Sequence, residues 1–114
     1  MATVEFLCQD KDGIQILCTT EDWRHIIEHT ECIEQQGLIK FVIEKPDSIY
    51  QDTDYKNRRV IYKTCVLPKP WGSCYMRVII EYPMNPIKKR GWVCTAHASH
   101  KIKKGEVLIW SKQT

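Results

Sequence analysis

Arg59-Val60-Ile61-Tyr62-Lys63-Thr64, Tyr75-Met76-Arg77-Val78-Ile79-Ile80 and Trp92-Val93-Cys94-Thr95-Ala96-His97 are the segments whose reading decides the fold. Each is dense in β-branched and aromatic residues and is bounded by Pro, Gly or Asn, the pattern of a β-strand. Side chains of a strand alternate between the two faces of a sheet. Val60, Tyr62, Thr64 and Val66 therefore share one face of the first strand. Met76, Val78 and Ile80 do so in the second, and Trp92, Cys94 and Ala96 in the third. These sets are mostly apolar and suit a core. The opposite faces then carry Arg59, Lys63, Arg77, Glu81, Thr95 and His97, a collection of cations, a hydroxyl, an imidazole and a carboxylate suited to handling phosphate. An antiparallel sheet with one wet face also gathers charge with no function attached.

The flanking sequence supplies the other elements. Val4 to Gln9 and Ile14 to Thr19 surround Asp12-Gly13, a hairpin signal, and read as small edge strands leading into the domain. Thr19 or Thr20 caps a helix whose first turn holds Glu21 and Asp22, where negative charge complements the helix dipole. Trp23, Ile26 and Ile27 form its apolar stripe, with His29 at the margin of that stripe and His25 on the solvent side. Glu31 to Glu44 reads as a second helix, ended by Pro46. Pro68 to Gly72 is a turn carrying Trp71. Pro83 to Gly91 is a loop holding Lys88-Lys89-Arg90, and Glu106 to Trp110 is a last short strand. Helices first and a meander after them predict an α+β domain over residues 1–114: two N-terminal helices packed on one face of a four-stranded antiparallel sheet, with a small N-terminal hairpin.

Composition narrows the class. The chain is 43% hydrophobic and 27% charged, which argues for a folded globular protein rather than a disordered one. A net charge of +3 permits nucleic-acid binding without demanding it, so any basic footprint is local. Cys8, Cys18, Cys32, Cys65, Cys74 and Cys94 are scattered among apolar residues, with no CxxC pair and no leading apolar signal segment. They are expected to be reduced and buried, in the cytoplasm. No apolar run approaches the ~20 residues of a membrane helix, so no membrane is expected.

Several segments together resemble a known group. Trp23-Arg24-His25-Ile26-Ile27-Glu28-His29-Thr30-Glu31 is similar to the opening helix of phage-associated nuclease domains of the barnase–EndoU–colicin–RelE (BECR) superfamily, with its "W..I...HPE" pattern. Lys45 to Asp52 resembles their "Pd.I..D" turn, Ile61-Tyr62-Lys63 their "yyk" strand, Val93 to His97 their "viTAy" strand, and Ile102 to Trp110 their closing segment. The resemblance runs in matching order from about Thr20 to Trp110. Thr30 stands where the pattern has proline, and His97 where an aromatic hydroxyl is common.

The resemblance implies a metal-independent ribonuclease-like domain, a hydrolase of toxin or effector type. It would cleave RNA by attack of the 2′-OH on the phosphodiester and be restrained by an antitoxin or immunity protein. Such chemistry needs a base, an acid and cations at the phosphorane. His29 and His97 are the expected acid and base, because imidazole titrates near neutrality. Lys63 and Arg77 are the expected phosphate clamps, with Arg59 as neighbour, and Thr95 is a hydrogen-bond donor. Trp71 and Tyr75 can stack a base, although such aromatics also serve as half-buried turn anchors. No cofactor is expected. Two other readings compete: a catalytically inactive RNA- or protein-binding module on the same fold, and a metal site using His25 and His29 at i, i+4 spacing, which lacks a third marked ligand.

Overall fold

A computed structural model of the chain describes residues 3–84 and 90–113. Lys88 and Lys89 of the expected basic loop lie outside the described residues. Seven strands form one sheet: β1 (Val4–Gln9), β2 (Gln15–Thr19), β3 (Ser48–Gln51), β4 (Arg58–Leu67), β5 (Gly72–Glu81), β6 (Arg90–Ser99) and β7 (Val107–Ser111). Their order is β1-β2-β6-β5-β4-β3-β7. The expected α+β class holds, but the four-stranded antiparallel sheet does not. The sheet is mixed, because β2 runs parallel to β6 through the pairs Gln15–Arg90, Ile16–Gly91 and Leu17–Trp92. The N-terminal hairpin is thereby an integral part of the sheet, and β7 pairs with β3 rather than with the meander. These pairings join segments far apart in sequence, which local propensity does not encode.

Two short helices, α1 (Thr20–Ile26) and α2 (Gln36–Glu44), pack on one face. Thr19 caps α1 by accepting the Asp22 N–H at 3.1 Å. The second helix starts at Gln36, not Glu31: Thr30–Cys32 is a single 3₁₀ turn, followed by Glu34 at a positive φ of 64° that an α-helix cannot contain. The core lies between the helices and the sheet. Ile26, Cys32, Ile39, Val42 and Ile43 meet Ile61, Met76, Val78, Ile80, Val93 and Ala96 there. The radius of gyration is 13.5 Å, close to the ~13 Å expected for a domain of this length. Among the described residues no helix is long and apolar enough to cross a membrane.

Two local features set which side chains share a face. The β4–β5 register pairs Tyr62 with Arg77, Lys63 with Met76 and Ile61 with Val78. Ile61, Lys63 and Arg59 therefore point toward the helix-covered side, and Val60, Tyr62, Thr64 and Val66 toward the open side. The parity expected for this strand is inverted. Val60, Ile61 and Tyr62 are all buried, so large apolar groups stand on both sides of β4 and alternation alone favours neither face. In β6 the register shifts between its pairs Ile79–Thr95 and Ile80–Val93, which makes Cys94 the extra residue of a bulge. Trp92, Cys94 and Ala96 consequently do not share a face. Val93 and Ala96 enter the core, while Trp92 donates its Nε1–H to Glu81 at 3.1 Å on the open side.

A candidate active site on the open face

The open face carries a polar cluster built from β4, β5, β6 and the segment before β7. Arg77 is 7% exposed, and among the described residues every bond of its guanidinium is to a side chain. Its Nε donates to the Tyr62 hydroxyl at 3.0 Å, its Nη1 to His97 Nε2 at 3.1 Å and its Nη2 to Glu106 Oε2 at 2.6 Å. Tyr62 donates to Glu106 Oε1 at 2.5 Å, and its oxygen also accepts the Lys103 N–H at 3.1 Å. Glu106 thus bridges the guanidinium and the phenol, and its side chain is only 1% exposed. Burial opposes the charge on Arg77, but the bonds to Glu106 and Tyr62 outweigh it and raise its proton affinity.

His97 has one tautomer that satisfies its partners. Nδ1 faces the Ala98 carbonyl at 2.9 Å, which only accepts, so Nδ1 carries the proton. Nε2 faces Arg77, which only donates, so Nε2 is a bare acceptor and the ring is neutral. Burial pushes the His97 pKa below its ordinary value. The Ala98 bond works against this, while the charges of Arg77 and His29 reinforce it. His29 reaches His97 around an edge. Beyond Trp92 the outer side of β6 faces the 3₁₀ turn instead of a strand: Glu31 accepts the Ala98 N–H at 2.9 Å, and the Cys32 thiol contacts the Ala96 carbonyl at 3.6 Å. The turn brings the exposed His29 ring to 5.3 Å from that of His97, centroid to centroid.

The structure brings together Arg77, His97 and His29 of the residues expected from sequence, with Thr95 on the same face one alternation along β6. It separates Lys63 and Arg59 from them. Lys63 donates to the Lys45 carbonyl at 2.7 Å, pairs with Asp47 at 3.2 Å and lies over the Phe41 ring at 4.8 Å. Arg59 bonds Gln51 and the Lys56 carbonyl at 2.9 and 3.0 Å. Neither can clamp a phosphate held at Arg77, because the sheet lies between. Tyr75 stands at the site, edge-on to Tyr62 at 5.7 Å. Beside it an open groove of about 430 Å³ is lined by Thr64, Ser73 and His100. Trp71 already has a stacking partner, His100, at 5.1 Å and 18° between planes, and is a turn anchor packed on the core rather than a free platform. His25 pairs with Glu28 at the surface, as its solvent-side position predicted. Among the described residues no group of three His, Cys, Asp or Glu side chains is arranged to hold a metal ion.

Two members of the cluster are not marked in the sequence. Simple alternation along β4 puts Tyr62 on the core face, opposite to the face it occupies. Glu106 carries no local mark, since a Glu before an apolar run is ordinary. The one signal is Gly105, whose φ of 96° turns the chain so that Glu106 aims inward.

No family model matches the sequence. No characterised protein and no solved structure matches it either.

Proposed function

We propose that the open-face cluster is a metal-independent RNA-cleaving centre of the BECR ribonuclease type. The observation that carries the reading is the neutral His97, whose single free lone pair is held by Arg77 beside a second, exposed imidazole. A phosphodiester arriving at the cluster accepts the Arg77 Nη1–H. That contact releases His97 Nε2, which can then take the proton from the 2′-OH. The 2′ oxygen attacks phosphorus, and His29, as the general acid, gives a proton to the leaving 5′ oxygen. The products are a 2′,3′-cyclic phosphate and a 5′-hydroxyl. Arg77 holds the charge that builds on the phosphorane, Thr95 offers a hydroxyl to it, and Tyr62 and Glu106 fix the plane of the guanidinium.

The same reading places the chain in the cytoplasm, under the control of an antitoxin or immunity protein. All six cysteines are free, and burial pushes the Cys8 thiol up to about 11 and those of Cys18 and Cys32 up to about 12, so these three are poorly reactive.

One observation favours a second reading. Arg77 makes bonds to three protein groups with no ligand present, as a purely structural ion pair in an inactive binding module would. Incubating pure protein with RNA in EDTA and identifying the product ends separates the two. Cyclic phosphate ends, reduced by about 10²–10⁴-fold in His29→Ala and His97→Ala variants that remain folded, support the enzyme. RNA bound but left intact supports the module.

A further inference from the structure

The helices do not cover the whole of their own side of the sheet. α1 and α2 pack chiefly over β1, β2, β4, β5 and β6. Where that side reaches β3 and β7 it borders a cavity of about 570 Å³. Ile43 near the end of α2 and Ile61 of β4 form its buried floor. Ile49 of β3 stands opposite Ile61 and continues it. On β7 the register shifts between the pairs Ile49–Trp110 and Tyr50–Leu108, so Ile109 is the extra residue of a bulge. Two successive side chains, Ile109 and Trp110, thereby line the same cavity. Lys11 of the β1–β2 turn reaches across to place its ammonium 4.7 Å over the Trp110 ring. Ile109 is still 50% exposed, so apolar surface inside the cavity stays wet. The volume falls within the roughly 300–1,000 Å³ of small-molecule pockets.

The charged part of the wall is balanced. Asp10 and Asp12 stand against Lys11 and Arg59. Both acids are already engaged. Asp10 accepts the Asp12 and Ile14 N–H groups and the Tyr82 hydroxyl, each at 2.9 Å, and Asp12 pairs with Lys11 at 3.0 Å. Arg59 is engaged only in part. Its Nη1 donates to Gln51 and to the Lys56 and Arg58 carbonyls, while Nε and Nη2 have no partner among the described residues. Neither of these two nitrogens is sealed off by protein, so both can reach a ligand. A charged ligand would meet a like charge in this wall as well as an opposite one, and would give up its hydration on entering. An uncharged carbonyl avoids that cost and can still accept the Arg59 hydrogen.

We propose that this cavity is a binding site for an uncharged, mostly apolar small molecule that carries one carbonyl. The apolar body lies on Ile43, Ile49 and Ile61 beneath Ile109 and Trp110, and the carbonyl oxygen accepts a hydrogen bond from Arg59. Burial of the apolar body supplies the affinity, and the single placed donor fixes the orientation. The site is separate from the open-face cluster, because Arg59 points to the helix side of the sheet and Arg77 to the other. The proposal therefore does not rest on the catalytic reading.

The test uses the full chain and N-phenyl-1-naphthylamine, an uncharged probe that brightens in apolar surroundings. The probe should bind saturably, and energy transfer to it from tryptophan should fall in a Trp110→Phe variant. At neutral pH 2-nonanone should displace the probe, and nonanoate and nonylamine should each need roughly tenfold more. Ile109→Lys and Ile14→Lys, on separate walls, should each weaken probe binding roughly tenfold with unchanged circular dichroism, while Val66→Lys, on exposed β4, should not. Arg59→Met should keep the probe and weaken 2-nonanone roughly tenfold. Absence of saturable binding, equal displacement by either charged relative, full probe binding by folded Ile109→Lys and Ile14→Lys variants, or unchanged 2-nonanone affinity in Arg59→Met would overturn the proposal. So would self-association of the wild type that Ile109→Lys abolishes, since that result gives the cavity to a second copy.

Discussion

Replacing Glu106 by Gln keeps the shape of the side chain and removes its charge from beneath Arg77. Arg77 is 7% exposed and the Glu106 side chain 1%, so water cannot take over the lost role. The Arg77–Glu106 contact is 2.6 Å, and the same carboxylate accepts the Tyr62 hydroxyl at 2.5 Å. Removing one partner of a buried pair leaves the other charge uncompensated, which costs about 3–5 kcal/mol. A domain of this size is stable by ~5–15 kcal/mol, so the loss is a large share of the total. At roughly 4 °C per kcal/mol the melting temperature should fall by about 12–20 °C. Urea unfolding followed by tryptophan fluorescence measures the change directly, provided the slope with urea is unaltered. The companion variant Arg77→Met with Glu106→Leu removes both charges and should recover most of the loss, because apolar replacement of a buried pair is often neutral or better. A Glu106→Gln protein within about 1 kcal/mol of wild type would refute the reasoning, as would a double variant less stable than the single one.

Three other expectations follow from particular contacts. Burial alone would raise the Asp47 pKa, but bonds from Lys112, Thr64 and Lys63 outweigh it and hold the carboxyl well below the usual range. A depressed carboxylate stabilises the fold above its unfolded pKa of ~4 and loses that contribution as pH falls further, so acid unfolding should be less steep below pH ~4 in Asp47→Asn. His97 is also depressed, so the unfolded chain binds its proton first. Stability should therefore rise with pH through the region just below ~6.5, and the slope should flatten in His97→Gln; an NMR titration placing His97 at or above the ordinary histidine value would contradict this. At Gly91 an added methyl would meet the Glu81 carbonyl and Ile16 Cδ1 at 3.0 Å and Tyr82 Cδ1 at 3.1 Å, so Gly91→Ala should cost about 1–3 kcal/mol by thermal unfolding, whereas the open Gly37 should accept alanine without loss.

What the residues alone determined is local. Thr19 followed by two acids starts a helix wherever the chain can bury Ile26, and the three β-rich segments become β4, β5 and β6 with their order and antiparallel sense intact. Arg77 and His97 share a face because both strands alternate normally up to that point. The rest depended on partners distant in sequence. The face of β4 was undetermined because Val60, Ile61 and Tyr62 are apolar on both sides, and pairing with β5 decided it. The bulge at Cys94 shifts the phase of β6 with no proline or glycine to announce it. The parallel pairing of β2 with β6 and the capture of β7 by β3 make a mixed sheet of seven where a four-stranded meander is expected. The connection from β6 to β7 carries Glu106 to Arg77, and Lys63 is drawn away to Asp47. Alternation tells which side chains share a face, but the side of the sheet that the helices cover, and the carboxylate that answers a buried cation, are set only when distant segments pack.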